Sequence, residues 1–231
     1  MKLVLKDKIQ ETSDVITFIF EPDEQVEFKA GQFLHYVLHH DKTDDRGSDR
    51  WFTISAAPFE RVVRITTRFN AERSSTFKEA LKGLKVGDDI EATEVDGDFI
   101  VDPSTNSGPL VFIAGGIGVT PYRSILLQLD HDNKPLNINL LYANKSPDNV
   151  PFKKEFDQLA EKHPEFKINY IFDPEKINKE SIKKYVPDLN KPIFYVSGPE
   201  PMVDAISETL KNMGVPEDHL KGDWFPGYPA E

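Results

Sequence analysis

One change of rhythm, at residues 102–109, constrains this chain more than any other feature. Up to Asp102 the apolar residues alternate or come in short runs bounded by Gly, Pro and Asp, as in Gln32-Phe33-Leu34-His35-Tyr36-Val37-Leu38 and Val62-Val63-Arg64-Ile65-Thr66-Thr67. This pattern predicts a small antiparallel β-barrel of the Greek-key kind, each strand turning one face to a core. Beyond Pro109 buried runs alternate with amphipathic segments, which predicts an α/β doubly wound parallel sheet covered on both faces. The stretch between, Asp102-Pro103-Ser104-Thr105-Asn106-Ser107-Gly108-Pro109, is polar and rich in turn formers. It marks a boundary between a first domain over 1–103 and a second over 108–231. A chain of 231 residues has room for two such cores.

One helix interrupts the barrel pattern. Phe77, Ala80, Leu81 and Leu84 share one face of a helix over 76–84, with Ser74 and Ser75 as candidate caps. In the second domain the pattern predicts strands over 110–114, 138–142, 166–172, 193–196 and 220–225. Helices are expected from Pro121 and over 152–162, 180–185 and 201–213.

The chain has no cysteine, which excludes disulfides, thiolate metal sites and any cysteine-ligated iron–sulfur cluster carried on it. The net charge of −11 is shared by both halves: 14 basic against 21 acidic residues up to Asp102, then 14 against 18. That balance argues against a nucleic-acid partner. No apolar run approaches the roughly 20 residues of a membrane span. The first residues are too briefly apolar for a secretory signal, so a cytoplasmic location is expected.

Two places carry chemistry. Gly115, Gly116 and Gly118 form a turn after the strand 110–114, and Thr120-Pro121 reads as a helix start with Thr as cap and Pro at the first helical position. Strand, glycine turn and helix start, in that order, suit a dinucleotide pyrophosphate, because backbone N–H groups and the helix dipole both favour an anion there. Pro121 stands where the usual dinucleotide fingerprint has its third glycine. Ser197-Gly198-Pro199 repeats the logic at the end of another strand. The other place is Arg50-Trp51-Phe52-Thr53. Strand alternation puts Arg50 and Phe52 on one side and Thr53 on the other, so a fork of phosphate donors, an aromatic ring and a small hydroxyl lie within four residues.

This last stretch resembles the arginine–aromatic–serine/threonine flavin signature of the ferredoxin–NADP reductase superfamily, and the resemblance spans nearly the whole chain. Gly116-Ile117-Gly118-Val119-Thr120-Pro121 and Ser197-Gly198-Pro199 are similar to that superfamily's nicotinamide-domain motifs. The resemblance implies a stand-alone reductase without an iron–sulfur domain, holding FAD as cofactor and using NAD(P)H as substrate. It implies that Arg50 binds the flavin phosphates, Phe52 lies against one face of the flavin ring, and Thr53 hydrogen-bonds near flavin N5. Ser75 and Thr76 match the helix start that meets the flavin pyrophosphate. The backbone of Ile65, Thr66 and Thr67 would run beside the ribityl chain and phosphates. Ser197 stands near the nicotinamide where cysteine is frequent. Asn144 and Lys145 end the strand that meets the ribose and leave NADH and NADPH both open. Phe225 would cover the free flavin face, with Trp224 or Tyr228 as alternatives.

The implied activity is hydride transfer from nicotinamide to FAD and electron release to a separate acceptor. A ferredoxin- or flavodoxin-like protein, a cytochrome, a hydroxylase partner, a quinone and free flavin are all open. The rival reading is a subunit that holds flavin as structure or senses nucleotide within a larger redox complex. Other signals read as bland. His35 and His39, four residues apart on one strand, would stand about 13 Å apart, too far to share a metal, and none is expected. The pairs Asp44-Asp45 and Asp88-Asp89 sit in turn-like surroundings and read as solvated.

Overall fold

The computed structural model describes residues 1–69, 74–102 and 108–225, the side chain of Phe225 excepted. Tyr228, the expected boundary residues 103–107 and the ring of Phe225 therefore lie outside the described residues. By its contacts the chain divides into two units, Met1–Ile100 with Thr120–Gln128, and Val101–Val119 with Leu129–Glu231.

The first unit is an antiparallel sheet that curls on itself. Its strands are β1 (Lys2–Gln10), β2 (Val15–Pro22), β3 (Phe33–Val37), β4 (Asp49–Thr53), β5 (Val63–Arg68) and β6 (Asp89–Asp96). They lie in the order β4-β3-β6-β1-β2-β5, with β6 inserted between β3 and β1 as a Greek-key connection requires. The alternation read from sequence is the alternation of burial: Leu3 and Leu5 on β1, Phe18 and Phe20 on β2 and Leu34 and Tyr36 on β3 are all fully buried. Just past β4, the Ser55 N–H donates to the Arg64 carbonyl of β5 at 3.0 Å, which ties the two sheet edges together.

Helix α1 (Thr76–Gly83) closes the core with Phe77 and Leu81. Ser75 is its N-cap, the hydroxyl accepting from the Lys78 N–H at 3.3 Å. Helix α2 (Thr120–His131) contributes its first nine residues to this unit. Thr120 does not cap it, contrary to expectation. A 3-10 turn over Gly116–Val119 runs directly into α2, so Thr120 is already helical and buried.

The second unit contains β7 (Leu110–Gly115), β8 (Ile138–Asn144), α3 (Lys153–Lys162), β9 (Lys167–Phe172), α4 (Lys179–Tyr185), β10 (Ile193–Pro199), α5 (Glu200–Asn212) and β11 (Leu220–Phe225). All five strands are parallel, in the order β11-β10-β7-β8-β9. This is the strand order of a doubly wound sheet, with its reversal between β7 and β10. Every residue of β7, the central strand, is buried. Among the described residues no helix is long and apolar enough to cross a membrane.

Ser75→Ala removes the cap of α1. Chemical denaturation should show a loss of about 1 kcal/mol, and an unchanged midpoint would refute the capping role.

Candidate functional site

In the first unit the strand alternation places Arg50 and Phe52 opposite Tyr36 and Leu34, on the core side of β3 and β4. Trp51 faces the other way, against Phe33 and His35, and stays exposed. Phe52 rests on Phe77 of α1, ring centroids 5.8 Å apart, and meets Tyr36 edge-on at 6.0 Å. The Arg50 guanidinium lies over the Phe77 ring at 5.5 Å. Its Nη1 donates to the carbonyls of Arg46 at 2.6 Å and Gly47 at 3.2 Å. Its Nη2 is buried without a hydrogen-bond partner, with Asp44 Oδ1 3.5 Å away. Thr53 ends β4 and is buried.

Asp44 overturns the solvated reading of its acidic pair. Its Oδ2 accepts from the Thr76 N–H at the start of α1 (3.1 Å) and from Arg46 Nη2 (2.7 Å). The Asp44 N–H in turn donates to Thr76 Oγ1 at 3.1 Å. The Arg46 hydrogen bond and then the Thr76 N–H hold the Asp44 carboxyl well below the usual carboxylate range. The corner between Arg50 and α1 is thus one that accepts an anion, and a carboxylate of the chain itself stands there. That chemistry fits a flavin phosphate. The hydroxyls of Ser75 and Thr76 are engaged within the protein, one as cap and one with Asp44.

The β5 residues are similarly engaged. Ile65 belongs to the core, and Thr66 Oγ1 joins a buried hydroxyl chain, 2.8 Å from Ser55 Oγ and 2.8 Å from Thr17 Oγ1. Thr17 Oγ1 donates on to Glu11 at 2.7 Å. Thr67 is buried too. β5 is the last strand in the sheet order, and these side chains are turned to contacts within the protein.

Sequence reading missed the most buried charge in the unit. Arg123 of α2 is 1% exposed. Its Nη1 donates to Ser55 O at 2.7 Å and Glu60 Oε2 at 2.8 Å, and its Nη2 to Glu60 Oε1 at 3.3 Å. Glu60 also accepts from the Ala57 N–H (2.7 Å) and pairs with Arg64 (2.8 Å). Burial pushes the Glu60 carboxyl up, but Arg123, Arg64 and the Ala57 N–H outweigh it and hold the group below its ordinary value. The available signal was a charge set into the apolar stripe formed by Val119, Tyr122 and Leu126.

In the second unit the glycine turn and Ser197-Gly198-Pro199 adjoin across the strand-order reversal, Ala114 pairing with Ser197. A side chain at Gly118 would put its Cβ 2.3 Å from Ser197 O and 2.6 Å from Gly198 Cα. At Gly115 it would meet Met202 Sδ at 2.2 Å. Glycine at both places therefore has a packing reason within the protein, while Gly116 takes the left-handed φ of 51° that glycine favours. Pro121 follows within α2. Ser197 is fully buried, and its Oγ donates to Asp223 Oδ2 at 3.3 Å. Gly198 and Pro199 end β10, and Pro199 leads into α5. Asn144 ends β8 only 8% exposed, with both amide atoms buried and unpartnered. Such an amide at the carboxyl edge of a parallel sheet fits the polar groups of a nucleotide. Lys145 beside it is exposed.

Of the histidines, His35 bridges Asp49 and Thr93 at 2.9 Å each across neighbouring strands. Among the described residues no three metal-binding side chains gather.

Comparison with known proteins accords with this geometry. Residues 112–208 match the oxidoreductase NAD-binding domain family. A flavohemoprotein of Rhodopirellula baltica is 25% identical over 96% of this chain and 59% of its own length. The glycine betaine monooxygenase reductase subunit of Chromohalobacter salexigens is 25% identical over 96% of this chain and 63% of its own length. Among solved structures, ferredoxin–NADP+ reductase from Plasmodium falciparum superposes with a TM-score of 0.82 at 18% identity, covering 97% of this chain and 95% of that one. The fold class is thus a curled antiparallel sheet followed by a parallel sheet whose residues 112–208 are similar to an NAD-binding oxidoreductase domain. Over nearly its whole length the chain is similar in sequence to these proteins, and it shares the fold of ferredoxin–NADP+ reductase. It spans about three-fifths of the length of the curated relatives it matches.

Gly118→Ala sets a methyl group against backbone that has nowhere to move. It should destabilise the protein by about 1–3 kcal/mol in thermal unfolding, and a neutral effect would refute the packing account. Glu60→Gln should cost about 3 kcal/mol at neutral pH by leaving Arg123 buried without its counter-charge. Because the folded Glu60 carboxyl titrates below its ordinary 4.5, its contribution is complete above that pH and fades as pH falls through the folded value. Denaturation curves of wild type and variant should converge in acid, and a pH-independent gap would contradict the pairing.

Proposed function

We propose that the chain is a NAD(P)H-dependent flavoprotein reductase that takes hydride from a nicotinamide dinucleotide onto bound FAD and passes electrons to a separate acceptor protein in the cytoplasm. The observation that carries this reading is the anion-accepting corner at Arg50. A buried guanidinium nitrogen without a hydrogen bond stands beside a helix start that already receives a carboxylate. Bound FAD supplies a hydride acceptor that can release electrons singly. The residues of this chain hold it and exclude water. Arg50 and the start of α1 bind its phosphates, Phe52 covers one ring face, and the Thr53 hydroxyl meets the reacting edge.

In the second unit, N–H groups of the turn at Gly115, Gly116 and Gly118, which Thr120-Pro121 follow in the chain, receive the dinucleotide pyrophosphate. Asn144 and Lys145 meet the ribose, and Gly198 and Pro199 border the nicotinamide. Ser197, held by Asp223, presents a hydroxyl where a thiol is frequent. The acceptor is proposed as a separate protein because one relative is a reductase subunit of a monooxygenase and this chain has no cysteine to ligate a cluster.

Purified protein should carry FAD, or take it up, and should bleach anaerobically with NADH or NADPH, each tried alone. Arg50→Ala should weaken FAD binding at least roughly 10-fold, the worth of one charge-assisted phosphate bond. Protein that stays colourless with added FAD would refute the flavin assignment. Yellow protein that neither nucleotide bleaches would mark a flavin-holding subunit instead.

A further inference from the structure

We propose that Arg123 is a positioning residue for hydride transfer: through the Ser55 carbonyl and the Glu60 carboxylate it sets the chain leaving β4, and so the Thr53 hydroxyl two residues before Ser55. The inference rests on the reductase reading above and assigns a role to a residue outside its cofactor-binding set.

A guanidinium 1% exposed is costly to bury, and an apolar side chain of similar size commonly serves stability as well. What it adds is geometry. One planar fork reaches a carbonyl and both oxygens of a carboxylate at once, at 2.7, 2.8 and 3.3 Å, a pattern that an ammonium cannot reproduce. The same helix grips the same segment twice more. Ser124 Oγ donates to Ala56 O at 2.6 Å, and Gln128 Oε1 accepts from the Phe59 N–H at 3.0 Å. Glu60 carries the constraint back along the segment through the Ala57 N–H and onward to β5 through Arg64. Residues 55–60 thus have no regular strand partner for most of their length, yet they are held from Ser55 to Glu60 by side chains of α2.

Arg123 is the fourth residue of α2, whose start follows the glycine turn directly in the chain. Within the first unit, α2 therefore clamps the segment that leaves the proposed flavin strand. Catalysis by alignment is sensitive at this level, since a displacement near 1 Å can cost roughly 100-fold in rate.

The test compares wild type with Arg123→Lys, which keeps the charge and loses the fork, and with the double variant Glu60→Gln/Arg123→Met, which removes both charges together. In flavin-free protein, amide hydrogen exchange at Ala57 and Phe59 should quicken at least 10-fold in both variants while the β1–β2 amides keep their protection. In FAD-loaded protein, the anaerobic reduction rate per bound flavin should fall roughly 10- to 100-fold. The half-saturating nucleotide concentration should stay within about twofold, and the visible circular dichroism of oxidised FAD should change. A rate per bound flavin within twofold of wild type in either folded variant overturns the proposal, as does unchanged exchange at Ala57 and Phe59. Wild-type protein that binds no FAD fails earlier, and that outcome strikes the reductase reading instead.

Discussion

A guanidinium without water must find its partners inside the protein, and Arg123 finds them 63 to 68 residues away in sequence. That single requirement binds α2 to the segment between β4 and β5 and keeps the carboxyl of Glu60 ionised in a mostly buried place. The hydrogen bond from Ser55 to Arg64 then draws the sheet edges together, and the curled shape of the first unit follows. The ion pair gains little by itself, because desolvation offsets most of its Coulomb energy. Its effect is to permit one arrangement of the loop and exclude others.

The second unit is organised by close backbone approach. Gly118 lies against the carbonyl of Ser197 with no room for a methyl group, so the two turns at the strand-order reversal form one packed surface. The polar groups around it are unevenly satisfied: the Ser197 hydroxyl has Asp223, whereas the Asn144 amide has nothing among the described residues. An unpaired buried amide costs about 1–3 kcal/mol, and Arg50 Nη2 in the first unit bears a similar cost. Both fall at strand ends where nucleotide binding is proposed. Asp44 relieves part of that cost at Arg50 through its Oδ1, 3.5 Å from Nη2, while its Oδ2 accepts from the α1 start.

The elements were largely legible because their apolar spacing is regular. Phe77 and Leu81 announced α1, and the buried run of β7 announced a central parallel strand. The strand ends shifted by one to three residues, as at β10, which runs on to Pro199. Thr120 reads as a cap in sequence because nothing local reveals that the 3-10 turn before it continues into the helix. In sequence Asp44 reads as solvated because Arg50 and Thr76 come from a strand and a helix that only folding brings to it. The role of Arg123 is not legible in sequence, since a lone charge on an apolar stripe does not name its counter-charge.

By itself, then, the amino-acid order determined two kinds of sheet, their sequence of strands and helices, and the residue types able to hold phosphate and ring systems. Periodicity and turn chemistry act between near neighbours, which is why they can be read along the chain. Only the tertiary structure decided which of those groups are already engaged, which buried charge holds the segment after β4, and why Gly118 must lack a side chain. Those outcomes depend on atoms brought within about 3 Å from distant parts of the chain, where desolvation and steric exclusion, rather than local preference, set the result.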